Sequence, residues 1–434
     1  MSEKTPLKVA YLTAGAAGMY CGSCLHDNTL AREMIRLGAD VQLIPTYTPI
    51  RTDEQDVSVD RVFFGGVNVY LQQKLPWLRF LPSFLDRFLD NPRFLRWVTA
   101  KATEMDYGEL GALTVSMLKG NHGRQRKEVQ RLCKWLKSSV APDILNLSNM
   151  LIAGCVPEIK RQLGKPVLAT LQGDDIFLEE LPEPYHTEAL EQIYQLTHEI
   201  DGFITHSQYY ADFMSDYFRI PQEKFHITPL GLDANAFPPQ DPPAANRPPT
   251  IGYLARLAPE KGLHLLVDAF IELRRRPNMQ EVRLHLAGWL GDHRREYVEE
   301  QFDKLKAAGL EDAYHYYGEV DHQGKHQFLL GLDALSTPTT YRDPKGLFIL
   351  EAFACGVPVV QPNHGAFPEI LQASGGGLLF EPGNVVELAD CLQQLLTDQD
   401  TRQAMGEAGK QYVHQRVNGE AMAKMTLEVY RRFE

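Results

Sequence analysis

Long apolar runs are missing from this 434-residue chain; none approaches the roughly 18 residues that a membrane-spanning helix needs. An excess of positive charge is missing too, since the formal net charge is −12. That argues against a general nucleic-acid binder, which neutralises phosphates with a basic surface. Cysteine is scarce, with six in all, too few for a disulfide framework at this length. Cys133, Cys155, Cys355 and Cys391 sit among apolar neighbours and read as buried free thiols. Cys21 and Cys24 have CxxC spacing, but there is no second such pair and His26 alone does not complete a zinc set; a redox pair would call for a thioredoxin-like context. The chain has neither a repeat of solenoid period nor a low-complexity tract. Residues 1–8 run straight into Val9-Ala10-Tyr11-Leu12 without a signal-peptide core, so a cytoplasmic location is expected.

What the chain does contain is short apolar runs alternating with helical patterns, the signature of βαβ units around parallel sheets. Expected strands cover residues 8–12, 41–45, 144–147, 166–171, 202–205 and 225–228, with a first helix near 28–37. Residues 237–250 carry three Pro-Pro pairs and read as a linker, because that composition sustains neither helix nor central strand. A second series follows at 251–254, 283–287, 313–317, 334–338 and 357–361, and a helix closes the chain from about 419 to 433. At this length two α/β domains are the default. The expected organisation is residues 1–236, the linker 237–250, residues 251–418 and a final segment 419–434.

The chemistry concentrates after two expected strands of the second series. Arg256 and Lys261 lie beyond the first, in Gly252-Tyr253-Leu254-Ala255-Arg256-Leu257-Ala258-Pro259-Glu260-Lys261-Gly262. Open α/β sheets bind ligands there, and an Arg fork plus a Lys point charge suits phosphate. Asp343 and Glu351 flank a glycine turn in Asp343-Pro344-Lys345-Gly346-Leu347-Phe348-Ile349-Leu350-Glu351, where a helix is expected to start. Helix N-termini favour phosphate through orphan N–H groups and the dipole, whereas carboxylates accept from hydroxyls. Together they read as a place for a phosphorylated sugar. Gly15-Ala16-Ala17-Gly18, after the first strand, lets backbone approach a ligand but lacks a full dinucleotide fingerprint.

The stretches 252–262, 343–360 and Gly365-Ala366-Phe367-Pro368-Glu369-Ile370 resemble the family 4 (group 1) glycosyltransferases. The resemblance implies the GT-B fold: two Rossmann-like, doubly wound α/β domains facing across a cleft, with the C-terminal helix crossing back to the first. It implies retaining, metal-independent transfer from a nucleotide-diphosphate sugar without a further cofactor. Arg256 and Lys261 would neutralise the diphosphate, while Gly346 and Leu347 would offer it N–H groups. Glu351 would hold the ribose and Asp343 the donor sugar, with Gly15, Ala16, Lys345 and Phe348 completing the donor site. Two positions depart from the family pattern. Asp343 stands where the family prefers glutamate, and Gln172, in Thr170-Leu171-Gln172-Gly173-Asp174-Asp175, stands where it commonly has histidine. Gln172 can bond a sugar hydroxyl but cannot transfer a proton; Asp174 is the alternative, against a plain solvated turn aspartate. Rival readings are an epimerase or glycan phosphorylase on the same fold, or a catalytically silent sugar-nucleotide sensor.

Residues 50–140 interrupt the βαβ rhythm. In 72–98, Trp77, Phe80, Phe84, Phe88, Phe94 and Trp97 interleave with Lys74, Arg79, Arg87, Arg93 and Arg96, and 119–137 is basic and helical in pattern. Three readings stand open: an acceptor-binding cap, peripheral contact with the inner face of a membrane, and a protein interface. A cap leaves the protein in the supernatant when it is sedimented with anionic liposomes at low salt. Co-sedimentation would establish the membrane reading instead.

Overall fold

The computed structural model describes residues 6–15, 22–50, 55–59, 62–63, 107–238 and 247–434. Ala16, Cys21, the aromatic stretch 72–98 and the prolines at 239–243 lie outside the described residues. The described chain forms two compact units. One comprises Met1–His206, Ala211–Pro229 and Met422–Glu434, and the other Ser207–Tyr210 and Leu230–Ala421.

The first unit holds a six-stranded sheet in the order β2-β1-β3-β4-β5-β6. Its strands are β1 (Lys8–Thr13), β2 (Asp40–Pro45), β3 (Ile144–Leu147), β4 (Val167–Thr170), β5 (Gly202–Thr205) and β6 (Phe225–Ile227). Every pairing is parallel. Parallel sheets are covered on both faces, so their strands are apolar throughout rather than alternating. Val9, Ala10, Tyr11 and Leu12 are accordingly all fully buried. The chain order reverses between β1 and β3, which makes that gap the switch point where such sheets bind ligands. The first helix, Gly22–Arg36, begins earlier than its apolar pattern suggested. The basic stretch 119–137 resolves into a 3₁₀ turn, the helix Arg126–Trp135 and the start of a π-turn, with Val129, Leu132 and Cys133 buried.

The second unit repeats the plan with the order β12-β11-β10-β7-β8-β9. It consists of β7 (Thr250–Leu254), β8 (Arg283–Ala287), β9 (Tyr314–Tyr316), β10 (Ala334–Leu335), β11 (Val359–Pro362) and β12 (Gly377–Phe380), again all parallel. The reversal falls between β7 and β10. β12 was not anticipated as a strand, because three consecutive glycines at 375–377 mask its short apolar run. The core gathers Leu263, Leu266, Val267 and Phe270 of the helix Leu263–Arg274 with Leu388, Leu392 and Leu395 of the helix Val385–Thr397. Phe237, within the expected linker, is buried against the rings of His322 and His326.

The closing helix spans Gly419–Tyr430. Tyr430 is fully buried, and the Phe433 ring meets His226 of β6 edge-on, centroids 5.5 Å apart.

Gly262 is the tightest joint near the β7/β10 switch point. Its φ of +73° is left-handed, and an added Cβ would run into the Pro338 carbonyl, which follows β10. Gly262→Ala should destabilise the protein by roughly 1–3 kcal/mol, read as a lower midpoint in denaturant unfolding.

Candidate functional site

The loop after β7 is fixed by the buried Tyr253, whose hydroxyl donates to the Arg256 carbonyl at 2.9 Å. A single turn, Pro259–Lys261, then carries Lys261 to the start of the helix Leu263–Arg274. The loop after β10 is tied to it by the Thr340 N–H, which donates to the Glu260 carbonyl at 3.0 Å. The two loops flank the switch point, and their side chains meet. Lys261 Nζ lies 3.1 Å from Asp343 Oδ2 and also donates to the Tyr341 hydroxyl. Tyr341 in turn donates to the same Oδ2 at 2.6 Å. Asp343 Oδ1 accepts the N–H groups of Lys345 and Gly346, both at 2.9 Å.

Asp343 is only 5% exposed. Burial by itself would raise its pKa, but Lys261, Tyr341 and the two backbone donors together hold it well below the usual carboxylate range. Burial and the Asp343 charge push Tyr341 the other way, well above its ordinary value, so its hydroxyl keeps its proton.

One sequence expectation changes here. The N–H of Gly346 is not on offer to a phosphate in this structure, because it caps onto Asp343. The helix starts at Leu347, which puts Glu351 one turn inside it. Ile349 donates to the Gly346 carbonyl at 2.9 Å. The N–H groups of Leu347 and Phe348 have no acceptor among the described residues, as expected of a first turn.

Nearly all of this helix is buried, Glu351 included. A buried acid needs a partner, and Glu351 Oε1 has Lys325 Nζ at 2.8 Å. Arg256 is different in kind: its guanidinium is half exposed and 3.4 Å from Glu260. Tyr341 and Lys325 escaped sequence reasoning. Lys325 belongs to the helix His322–Leu330, whose only sequence signal is the Asp321 cap on Gly324.

The remaining expected site residues lie in the first unit. Gly15 has φ +89°, and the space a Cβ would need is filled by Thr48. Gln172 is buried, its Nε2 donating to Asp27 Oδ1 at 3.0 Å and to the Ser148 carbonyl at 3.3 Å. Asp27 also accepts from Tyr11 (2.9 Å) and Thr13 (2.6 Å), with His26 Nδ1 at 3.0 Å. This cluster occupies the β1/β3 switch point. Asp174 is no solvated turn residue. It is 3% exposed and accepts the N–H groups of Met150 (2.6 Å) and Gln172 (3.1 Å).

Cys24, Cys133 and Cys155 are buried free thiols, whereas the free thiols Cys355 and Cys391 are half-buried. Among the described residues no helix is long and apolar enough to cross a membrane.

Two family models match adjoining parts of the chain: "Glycosyltransferase Family 4" over residues 109–236 and "Glycosyl transferases group 1" over 237–412. A GDP-mannose-dependent alpha-(1-6)-phosphatidylinositol monomannoside mannosyltransferase of Mycobacterium tuberculosis is 32% identical over 44% of this chain and 52% of its own. The chain thus spans about half the length of the first curated relatives it matches. Among solved structures, sucrose-phosphate synthase from Thermosynechococcus elongatus superposes with TM-score 0.71 at 17% identity, covering 98% of both chains. HepE of Anabaena, in complex with UDP and glucose, gives 0.67 at 18% identity over 98% of this chain and 100% of that one. At such identity these structures establish the fold, which is GT-B.

Burial pushes Asp174 up to about 6 from an ordinary 3.8, against its backbone donors. An acid whose folded pKa is raised adds stability below its unfolded pKa and loses it as pH rises through the folded one. Unfolding free energy should therefore fall by about 2–3 kcal/mol between pH 4 and 7.5 from this group. Denaturant titrations at both pH values should show a smaller drop in Asp174→Asn.

Proposed function

The chain belongs to the family 4 (group 1) glycosyltransferases, and from that premise we propose that it moves a sugar from a nucleotide-diphosphate sugar to an acceptor, with retention of anomeric configuration and without a metal ion. The observation that carries this reading is the Lys261–Tyr341–Asp343 cluster at the β7/β10 switch point. As the glycosidic bond breaks, negative charge grows on the diphosphate, and a cation already aimed at it lowers the barrier. Lys261 is such a cation, held by an acid that stays ionised throughout the neutral range. The N–H groups of Leu347 and Phe348 and the half-exposed Arg256 add donors for the same oxygens.

In this reading Asp343 does not grip the donor sugar. With both oxygens engaged, it positions Lys261 and the start of the helix Leu347–Ala354, and the shorter acid leaves room for the Tyr341 hydroxyl. Glu351, held by Lys325, faces the nucleoside end. The Mycobacterium relative's GDP-mannose and the UDP and glucose of HepE support a nucleotide-sugar donor. Peripheral membrane contact through 119–137 would have to use its basic face, since Val129, Leu132 and Cys133 are buried.

Lys261→Ala and Glu351→Ala should each lower transfer at least a hundredfold, about 3 kcal/mol of transition-state stabilisation, with the circular dichroism spectrum unchanged. Nucleoside diphosphates should raise the melting temperature of the wild type, and Lys261→Ala should lose most of that shift. Unimpaired turnover in either variant would sink the site assignment. Nucleotide binding without transfer to any acceptor would favour a sugar-nucleotide sensor.

A further inference from the structure

Lys325 shares one face of the helix His322–Leu330 with His322 and His326, at i, i+3 and i+4 spacing. The two histidines fix that face in place. His322 Nε2 donates to the Ala236 carbonyl at 2.7 Å, and His326 bonds the Pro238 carbonyl. Between those carbonyls the buried Phe237 ring meets both imidazoles edge-on, at 5.1 and 5.8 Å. The same face carries the Lys325 ammonium to the helix Leu347–Ala354, where Nζ lies 2.8 Å from Glu351 Oε1.

A lysine is a point charge and takes one oxygen of a carboxylate, whereas an arginine fork can take two. Glu351 consequently has two unlike arms. Oε1 is engaged by Lys325. Oε2 has no partner among the described residues, yet it does not belong to the side-chain atoms that are both unpaired and sealed from solvent. The Glu351 side chain is 8% exposed. What this closed helix shows to a ligand is therefore a single carboxylate oxygen, which accepts and cannot donate.

We propose that Lys325 is a positioning residue for donor recognition: by holding Glu351 Oε1 it aims Oε2 at a ribose hydroxyl, and so makes the chain prefer ribonucleotides to their deoxy forms. The inference rests on the transferase reading above and deepens it. Without the lysine, Glu351 cannot stay in place as an anion, because a buried charge stripped of its partner is strongly disfavoured. Removing Lys325 thus removes the aim of the carboxylate.

Calorimetric binding of ADP, CDP, GDP and UDP, each beside its 2′,3′-dideoxy counterpart, tests this. The wild type should bind at least one of the four about tenfold or more tighter than its dideoxy form, the worth of a hydrogen bond to a charged group. Lys325→Met should bring the pair to within about threefold of each other by weakening the ribonucleotide, with the dideoxy form bound as before. Glu351→Gln should show the same loss. Adding Lys325→Met to it should change neither affinity further, because a residue that acts through Glu351 then has nothing to aim. The double variant also decides the matter where Lys325→Met alone does not fold, since it leaves no buried carboxylate unpaired.

A merely structural role for Lys325 would weaken both forms alike and act equally in either background. Equal weakening, an undiminished preference in Lys325→Met, or a further selective loss in the double variant overturns the inference while the transferase reading stands. So does a wild type that binds both forms equally. If the wild type binds none of the four nucleotides, the transferase reading falls and the inference falls with it.

Discussion

An ionised carboxylate can be buried only if donors replace the water it gives up, and that constraint organises this molecule. Asp343 meets it with donors from three places: Lys261 after β7, the Tyr341 hydroxyl after β10, and the N–H groups that open the next helix. Those parts consequently form one object. The start of the helix Leu347–Ala354 cannot shift without unpairing a buried charge, and Lys261 cannot swing away without leaving Asp343 short of a partner.

Three buried acids show three ways of meeting the same demand, and the differences match the chemistry proposed for each unit. Asp343 is answered by a cation and backbone dipoles, and Glu351 by the lysine of a neighbouring helix. Asp27 is answered by side chains with no fixed positive charge: two hydroxyls, an amide and an imidazole. The second unit thus offers anchored cations near a helix start, which suits an anionic leaving group. The first offers an array of hydroxyl, amide and imidazole groups around one carboxylate, which suits hydroxyls and would hold a diphosphate poorly.

Most of the architecture was legible because buried parallel strands announce themselves as short apolar runs ending in glycine or polar loops. Arg256, Lys261, Asp343 and Glu351 were legible for a related reason, since Gly262 and Gly346 mark where loops give way to helices. Tyr341, Lys325 and Asp27 were not. Asp27 is 14 and 16 residues from its β1 partners and 145 from Gln172, and no local pattern encodes contacts of that reach. One signal was available in hindsight. His26-Asp27-Asn28-Thr29 places four polar residues in a row on a helix. Consecutive residues sweep right round a helix, so at least one must face the core and find partners there.

The closing residues of the first unit, Met422–Glu434, follow the whole second unit along the chain. Tyr430 seals the neighbourhood of Tyr11 and Asp27, and Phe433 covers Gly202 on β5. During synthesis the first sheet can assemble early, but its polar centre stays uncovered until some 190 further residues have emerged. Closing a flexible loop of that length costs roughly 5 kcal/mol in chain entropy, whereas a folded second unit holds the ends of the intervening chain and removes most of that cost. The connectivity thereby makes the unit that starts first along the chain the one completed last.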